Sequence, residues 1–135
     1  MSSLVGKYEL LTDPGDQAYD QLLQAMGVSE AQREAGRLVV PSVEISAAGD
    51  QWSVKTLSDL LNEESLFTPG VKTPTQLSDV DVVSLFTIES GNKLVQRFTT
   101  AGQEGKVVFE TTADGMTTVL AFQGKVAVRK YKRVA

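Results

Sequence analysis

The chain has 135 residues, with 13 basic and 17 acidic side chains and neither cysteine nor histidine. This length predicts one domain over residues 1–135 that buries roughly two thirds of its unfolded-chain surface. The missing residue types exclude disulfides, thiolate metal sites and histidine-dependent nucleophiles, and the net charge of -4 argues against a nucleic-acid partner.

The first predicted element is a strand over residues 4–11, where side chains alternate between two faces with a period of two. It ends at a turn that contains Pro14 and Gly15. No apolar run reaches the length of a signal-sequence core or of a membrane span. We therefore expect a cytoplasmic protein.

Two short helices are predicted next. An apolar stripe at helical spacing runs from Tyr19 to Met26, and Ser29 begins a capping-box pattern that opens a second helix, which Gly36 ends. Because only about two residues connect them, we expect a compact helix-turn-helix. Acidic side chains outnumber basic ones over residues 16–37, so a DNA-binding role for this motif is excluded.

From Leu38 onward the pattern is one of short strands separated by regularly spaced turns. The turn signals include Ala48-Gly49-Asp50, Pro69-Gly70, Ser90-Gly91-Asn92, Asp114-Gly115 and Gln123-Gly124. About ten strands result, and an open twisted sheet of that width should close on itself. The sequence therefore predicts an all-β fold: a ten-stranded up-and-down antiparallel β-barrel with the helix pair inserted after the first strand.

The last predicted strand, residues 125–133, has no cleanly apolar face. Arg129 and Tyr131 lie two residues apart and therefore point to the same side. If that side is the barrel interior, a guanidinium and a phenol hydroxyl converge, and a buried arginine then calls for an anionic ligand group. The alternative is a basic edge strand whose charges face solvent.

Short motifs follow one another along the whole chain, among them Gly6-Lys7-Tyr8-Glu9-Leu10, Met26-Gly27-Val28, Gly91-Asn92-Lys93-Leu94-Val95-Gln96 and Arg129-Lys130-Tyr131. In this order they resemble the intracellular lipid-binding proteins, the family of the fatty-acid-binding and cellular retinoid-binding proteins. The resemblance implies a barrel whose water-filled cavity holds one long-chain lipid beneath a lid formed by the helix pair. It also implies that Arg129 and Tyr131 hold the ligand carboxylate.

The resemblance suggests further cavity and portal residues. Phe109 occupies the position of a second cavity arginine in the family, Tyr19 is a further cavity candidate, and Arg97 could supply the missing charge if it faces inward. An outward, solvated Arg97 is the alternative. The family portal corresponds to Met26, Val28 and Leu60, which could equally be ordinary core residues under the lid.

These features predict a cytosolic, monomeric carrier that binds one long-chain fatty acid non-covalently, with no metal or cofactor. The alternative is a carrier of a retinoid or another bulky apolar ligand, because Phe109 cannot donate a hydrogen bond to a carboxylate. An enzyme on a similar barrel is a further class. Its candidate carboxylates, Asp79 with Asp81 and Glu63 with Glu64, are interpreted as surface pairs, so no catalytic residue is predicted.

A third class is a module that passes lipid to membranes. Collision with anionic membranes usually requires basic lid helices. Because residues 16–37 are acidic on balance, we expect transient membrane contact at most.

Overall fold

The computed structural model describes residues 4–59 and 62–134. Strand β1 (Gly6–Leu10) is followed by helices α1 (Gln17–Ala25) and α2 (Glu30–Gly36). The remaining strands, in chain order, are β2 (Ser42–Ala48), β3 (Gln51–Leu57), β4 (Asn62–Phe67), β5 (Thr73–Leu77), β6 (Val80–Ser90), β7 (Lys93–Thr100), β8 (Gln103–Thr111), β9 (Gly115–Phe122) and β10 (Lys125–Arg133).

The strands form one antiparallel sheet in the order β4-β3-β2-β1-β10-β9-β8-β7-β6-β5. Strand β1 lies between β2 and β10, so the two ends of the chain are joined in the middle of the sheet. Strands β4 and β5 are its edges and approach one another, which makes the barrel nearly closed. The prediction of a ten-stranded antiparallel barrel with two helices after the first strand is confirmed.

The two helices, which we call the lid, begin at side-chain caps and are tied to one another. Asp16 accepts a hydrogen bond from the backbone N–H of Tyr19 at 3.1 Å, and Ser29 caps α2 in the same way. Asp20 of α1 forms ion pairs with Arg33 of α2 and with Arg37, which follows α2, at 3.2 and 2.9 Å. The two helices of the lid are therefore held together by ion pairs as well as by the short segment that connects them.

Burial alone would raise the pKa of Asp20, but hydrogen bonds from Arg37 and Arg33 outweigh it, so the pKa lies below its usual range. Helix α1 turns Leu22 and Leu23 inward and packs against β10 and β9. No helix within residues 4–59 and 62–134 combines the length and the apolar character that crossing a bilayer requires.

Two pairs of buried aromatic rings stack inside the barrel. Phe67 of β4 and Phe86 of β6 stack with ring centroids 3.9 Å apart, and Phe98 of β7 and Phe122 of β9 stack at 5.9 Å. These contacts connect strands that are not neighbours in the sheet. They hold the walls together around the central cavity.

Gly115 sits where β9 approaches β10 too closely for a side chain. A Cβ added there would run into the backbone carbonyl oxygen of Tyr131. That carbonyl belongs to the β9–β10 ladder, in which Gly115 pairs with Lys132 and Met116 pairs with Tyr131. Glycine is therefore required by the close approach of two backbones.

We predict that Gly115→Ala lowers the free energy of unfolding by about 1–3 kcal/mol, because overpacking must displace the β10 backbone. Urea unfolding followed by circular dichroism measures the change. Gly91→Ala is the matched control, since a Cβ at Gly91 meets nothing within 4 Å. Equal stability of the two variants would contradict the close-approach argument.

Candidate functional site

The candidate site is a cavity of about 150 Å³ inside the barrel, beneath the lid. Its walls come from both helices and from strands of the barrel, and the lining side chains are divided about equally between apolar and polar. The polar members include Tyr19, Thr56, Glu63, Gln96, Thr118, Arg129 and Tyr131. A cavity that offers both apolar surface and polar groups suits an amphipathic ligand.

Arg129 and Tyr131 both point into this cavity from β10. Strand alternation places them on one face with Ala127, and all three are more than nine-tenths buried. The strand thus presents its mixed-polarity inner face to the cavity, whereas Val126 and Val128 are exposed outside. The proposed carboxylate-binding role of Arg129 and Tyr131 stays a prediction.

The guanidinium of Arg129 lies over the ring of Tyr19, 3.8 Å from its centroid. Tyr19, predicted as a cavity candidate, belongs to α1 and lines the cavity, so this cation–π contact joins the lid to the cavity wall. The Nε atom of Arg129 is buried and has no hydrogen-bond partner. Within residues 4–59 and 62–134, no acidic side chain forms an ion pair with this arginine.

Tyr131 keeps its phenol proton far above neutral pH. Burial raises the pKa of Tyr131 to about 12, and the neighbouring Arg129 charge only partly opposes that rise. The hydroxyl is consequently available as a hydrogen-bond donor beside the guanidinium. Thr118, the cross-strand partner of Arg129, adds a third polar side chain to the same wall.

Phe109 and Arg97 have opposite locations in the barrel. Phe109 is buried in the cavity wall as the cross-strand neighbour of Thr118, which gives an apolar surface close to Arg129. Of the two alternatives for Arg97, the outward, solvated one describes its place. Arg97 is exposed on the outer surface because it occupies the opposite face of β7 from the inward-pointing Gln96.

Gln96 is a cavity residue to which sequence reasoning assigned no role. It is only 2% exposed, lines the cavity, and donates a hydrogen bond from Nε2 to Ser84 Oγ at 3.0 Å. Its inward orientation follows from the alternation with Leu94 and Phe98. The alternation along β7 could have predicted an inward Gln96, but only if the outward position of Arg97 had been known.

The predicted portal residues differ in their positions. Val28, between the helices, lines the cavity, whereas Met26 is buried in the apolar core and is not among the lining side chains. For Met26 the ordinary-core alternative therefore describes its place. Leu60 lies outside the described residues, and its portal role remains a prediction.

Glu63 lines the cavity and bridges the two edges of the sheet. Its carboxylate accepts hydrogen bonds from the backbone N–H groups of Ser78 and Asp79, both at 3.0 Å, in the turn between β5 and β6. The interpretation of Glu63 as a surface carboxylate is wrong, because the side chain lines the cavity and is partly buried. Its neighbour Glu64 is exposed and pairs with Lys55, as a surface residue should.

The pKa of Glu63 is raised, above all by burial and further by the nearby Asp79 charge, against the opposing effect of the two backbone N–H groups. Ser78 and Asp79 both adopt positive φ, at 50° and 67°. The carboxylate thus caps a turn whose backbone conformation is uncommon for residues with side chains. It also spans the gap between β4 and β5.

Comparison with known proteins identifies the class to which this cavity belongs. The chain is 31% identical over 135 residues to a fatty acid-binding protein of Lepidoglyphus destructor, covering 98% of this chain and 99% of the relative. It is 32% identical over 134 residues to the corresponding protein of Tyrophagus putrescentiae, with 98% and 99% coverage. No protein-family model matches the chain.

A solved structure gives the same result. The Schistosoma mansoni fatty acid binding protein in complex with arachidonic acid superposes with a TM-score of 0.89 and 30% identity, covering 100% of this chain and 98% of that one. The chain belongs to the fatty-acid-binding protein family, within the intracellular lipid-binding proteins.

The raised pKa of Glu63 generates a pH-dependent prediction. Because the folded chain binds this proton more tightly than the unfolded chain, the Glu63 contribution to the free energy of unfolding falls as pH rises through its folded pKa. Glu63→Gln keeps an acceptor oxygen but cannot ionise. The free energy of unfolding of the variant, relative to that of wild type, should therefore increase as the pH is raised from 4 to 7.

Urea unfolding at the two pH values measures this difference. Glu110→Gln is the matched control, because Glu110 is exposed on the outer face of the barrel and should show little relative change. A stability difference for Glu63→Gln that moves in the opposite direction, or that equals the control, would contradict the assignment.

Proposed function

We propose that this protein is a carrier that binds one long-chain fatty acid non-covalently, with the carboxylate held by Arg129 and Tyr131. The acyl chain occupies the apolar part of the cavity. Membership in the fatty-acid-binding protein family supports the ligand class, as does the arachidonic acid bound by the Schistosoma mansoni relative.

The observation that carries the proposal is the unpaired cation in the cavity. Arg129 is 6% exposed, its Nε has no hydrogen-bond partner, and it has no acidic partner in the part of the chain described. A buried charge of this kind is costly unless it is paired. A ligand carboxylate supplies the missing anion, while the Tyr19 ring and the Tyr131 hydroxyl flank it.

The apolar lining supplies the other half of the recognition. Leu23, Val43, Val107 and Leu120 offer hydrocarbon surface around the cavity, and each buried methylene of a ligand contributes about 0.8 kcal/mol. Affinity then grows with acyl chain length until the cavity is filled. Reversible binding of this type suits transport, and we propose no catalytic step.

We propose further that the carrier is cytoplasmic and monomeric, and that it contacts membranes only transiently. The lid carries more acidic than basic side chains, and Arg33 and Arg37 are already engaged with Asp20. Anionic headgroups therefore find little free positive charge on the helices.

A retinoid or another bulky apolar ligand is the second candidate. Phe109 favours it, because this ring lies in the cavity wall where a second arginine is expected from the family resemblance. For a rigid apolar ligand, the Phe109 ring provides a better contact than an arginine at the same position would. Native mass spectrometry of the protein purified from cells tests the alternative, and recovery of neutral lipids alone would overturn the fatty-acid proposal.

Substitution of Arg129 provides the direct test. Wild type should bind hexadecanoic acid more tightly than hexadecanol, and Arg129→Leu should lower affinity for the acid by about tenfold to a hundredfold, since hydrogen bonds to a charged group are lost. Affinity for the alcohol should change little. Competitive displacement of a fluorescent fatty acid measures all four values.

Arg97→Leu is the matched control, because it removes an arginine from the outer surface of the same barrel. This variant should keep the wild-type preference for the acid. An Arg129→Leu protein that still binds the acid as tightly as wild type does would overturn the proposed anion site.

A further inference from the structure

A second polar cluster in the barrel wall consists of Gln96, Ser84 and Thr75. The Nε2 atom of Gln96 donates to Ser84 Oγ at 3.0 Å, and Ser84 Oγ lies 2.9 Å from Thr75 Oγ1. Gln96 and Ser84 are 2% and 0% exposed. Only Gln96 of this group lines the cavity, so its amide is the polar surface that a bound ligand meets.

One end of this amide is unpartnered. Within residues 4–59 and 62–134, the only hydrogen bond of the Gln96 side chain is the one to Ser84, which leaves Oε1 free to accept. A 180° turn of the amide would instead leave the NH₂ group free, because the Ser84 hydroxyl can either donate or accept. In both orientations one strong hydrogen-bonding group of a buried side chain lacks a partner in the cavity wall.

The free amide group lies well away from Arg129. Gln96 pairs with Val107, Val107 with Leu120, and Leu120 with Ala127, so three strand spacings separate it from β10. Arg129 lies two residues beyond Ala127 along β10. Standard strand spacings place the two residues about 16 Å apart along the curved wall, and closer across the interior.

We propose that the Gln96 amide is a second ligand-binding subsite, which accepts a hydroxyl group on the middle of the acyl chain. The proposal rests on the proposed function and extends it, because it makes hydroxylated long-chain fatty acids the preferred ligands. A hydroxyl both donates and accepts, so it pairs with the amide in either orientation. Its position on the chain follows from the separation between Gln96 and Arg129.

The preference for a hydroxylated chain arises because an unsubstituted chain leaves the Gln96 amide without a hydrogen-bond partner. A saturated chain packed against Gln96 displaces water from the amide and returns no hydrogen bond, whereas a chain hydroxyl restores one. Sites built around a buried polar group discriminate against ligands that leave it unpaired. Val107, Phe109 and Leu120 offer no polar atom between the two sites, so a hydroxyl near the carboxylate gains nothing from Gln96.

Three ligands and two variants test the subsite. Wild type should bind 12-hydroxystearic acid about five- to tenfold more tightly than stearic acid, and 2-hydroxystearic acid no more tightly than stearic acid. Gln96→Met, which keeps the length of the side chain, should bring the ratio of the affinities for 12-hydroxystearic and stearic acid close to one. Gln96→Leu, a second apolar substitution, should have the same effect on the ratio. Isothermal titration calorimetry measures each affinity.

Thr99→Val is the matched control, because Thr99 is exposed on the other face of β7, and it should keep the preference. Equal affinity of wild type for stearic and 12-hydroxystearic acid, or a preference that survives both Gln96 variants, overturns the subsite. Tight binding of stearic acid without discrimination overturns only this inference. Failure of wild type to bind any of the three acids overturns the proposed function as well.

Discussion

Arg129 is buried without an acidic partner among the residues that the structure describes, and the cavity is organised around this constraint. Arg129 rests against the face of the Tyr19 ring, so an aromatic quadrupole partly replaces the missing anion. Tyr131 remains a neutral donor beside it. The lid and the wall therefore meet at a buried positive charge, to which our proposal assigns the ligand carboxylate.

The rest of the interior separates polar functions by distance. Arg129 and Tyr131 lie on β10, Gln96 on β7 and Glu63 on β4. The guanidinium of Arg129 packs against the Tyr19 ring, the Gln96 amide bonds to Ser84, and the Glu63 carboxylate accepts from the turn after β5. A ligand with one charged end and a long flexible body could contact Arg129 and Gln96 together, as we propose.

Sequence patterns predicted the fold well because its determinants are local. Alternating strands, glycine turns and capped helices specify ten strands and a lid without knowledge of distant contacts. The inward face of β10 was harder, since neither face of residues 125–133 is apolar and only barrel closure decides which one is inside. The orientation of Arg97 stayed open, and the interpretation of Glu63 as a surface carboxylate was wrong. Orientation on β7, and a bond from β4 to the turn after β5, depend on three-dimensional register.

The pairing of β1 with β10 has a consequence for synthesis of the protein. The Leu11 N–H bonds to the Lys130 carbonyl and the Val134 N–H to the Lys7 carbonyl, so the barrel joins the first and last segments of the chain. Such contacts span nearly the whole sequence, and loop closure of that length slows folding. The barrel therefore closes, and Arg129 takes its place in the cavity wall, only after residues 125–134 have been synthesised.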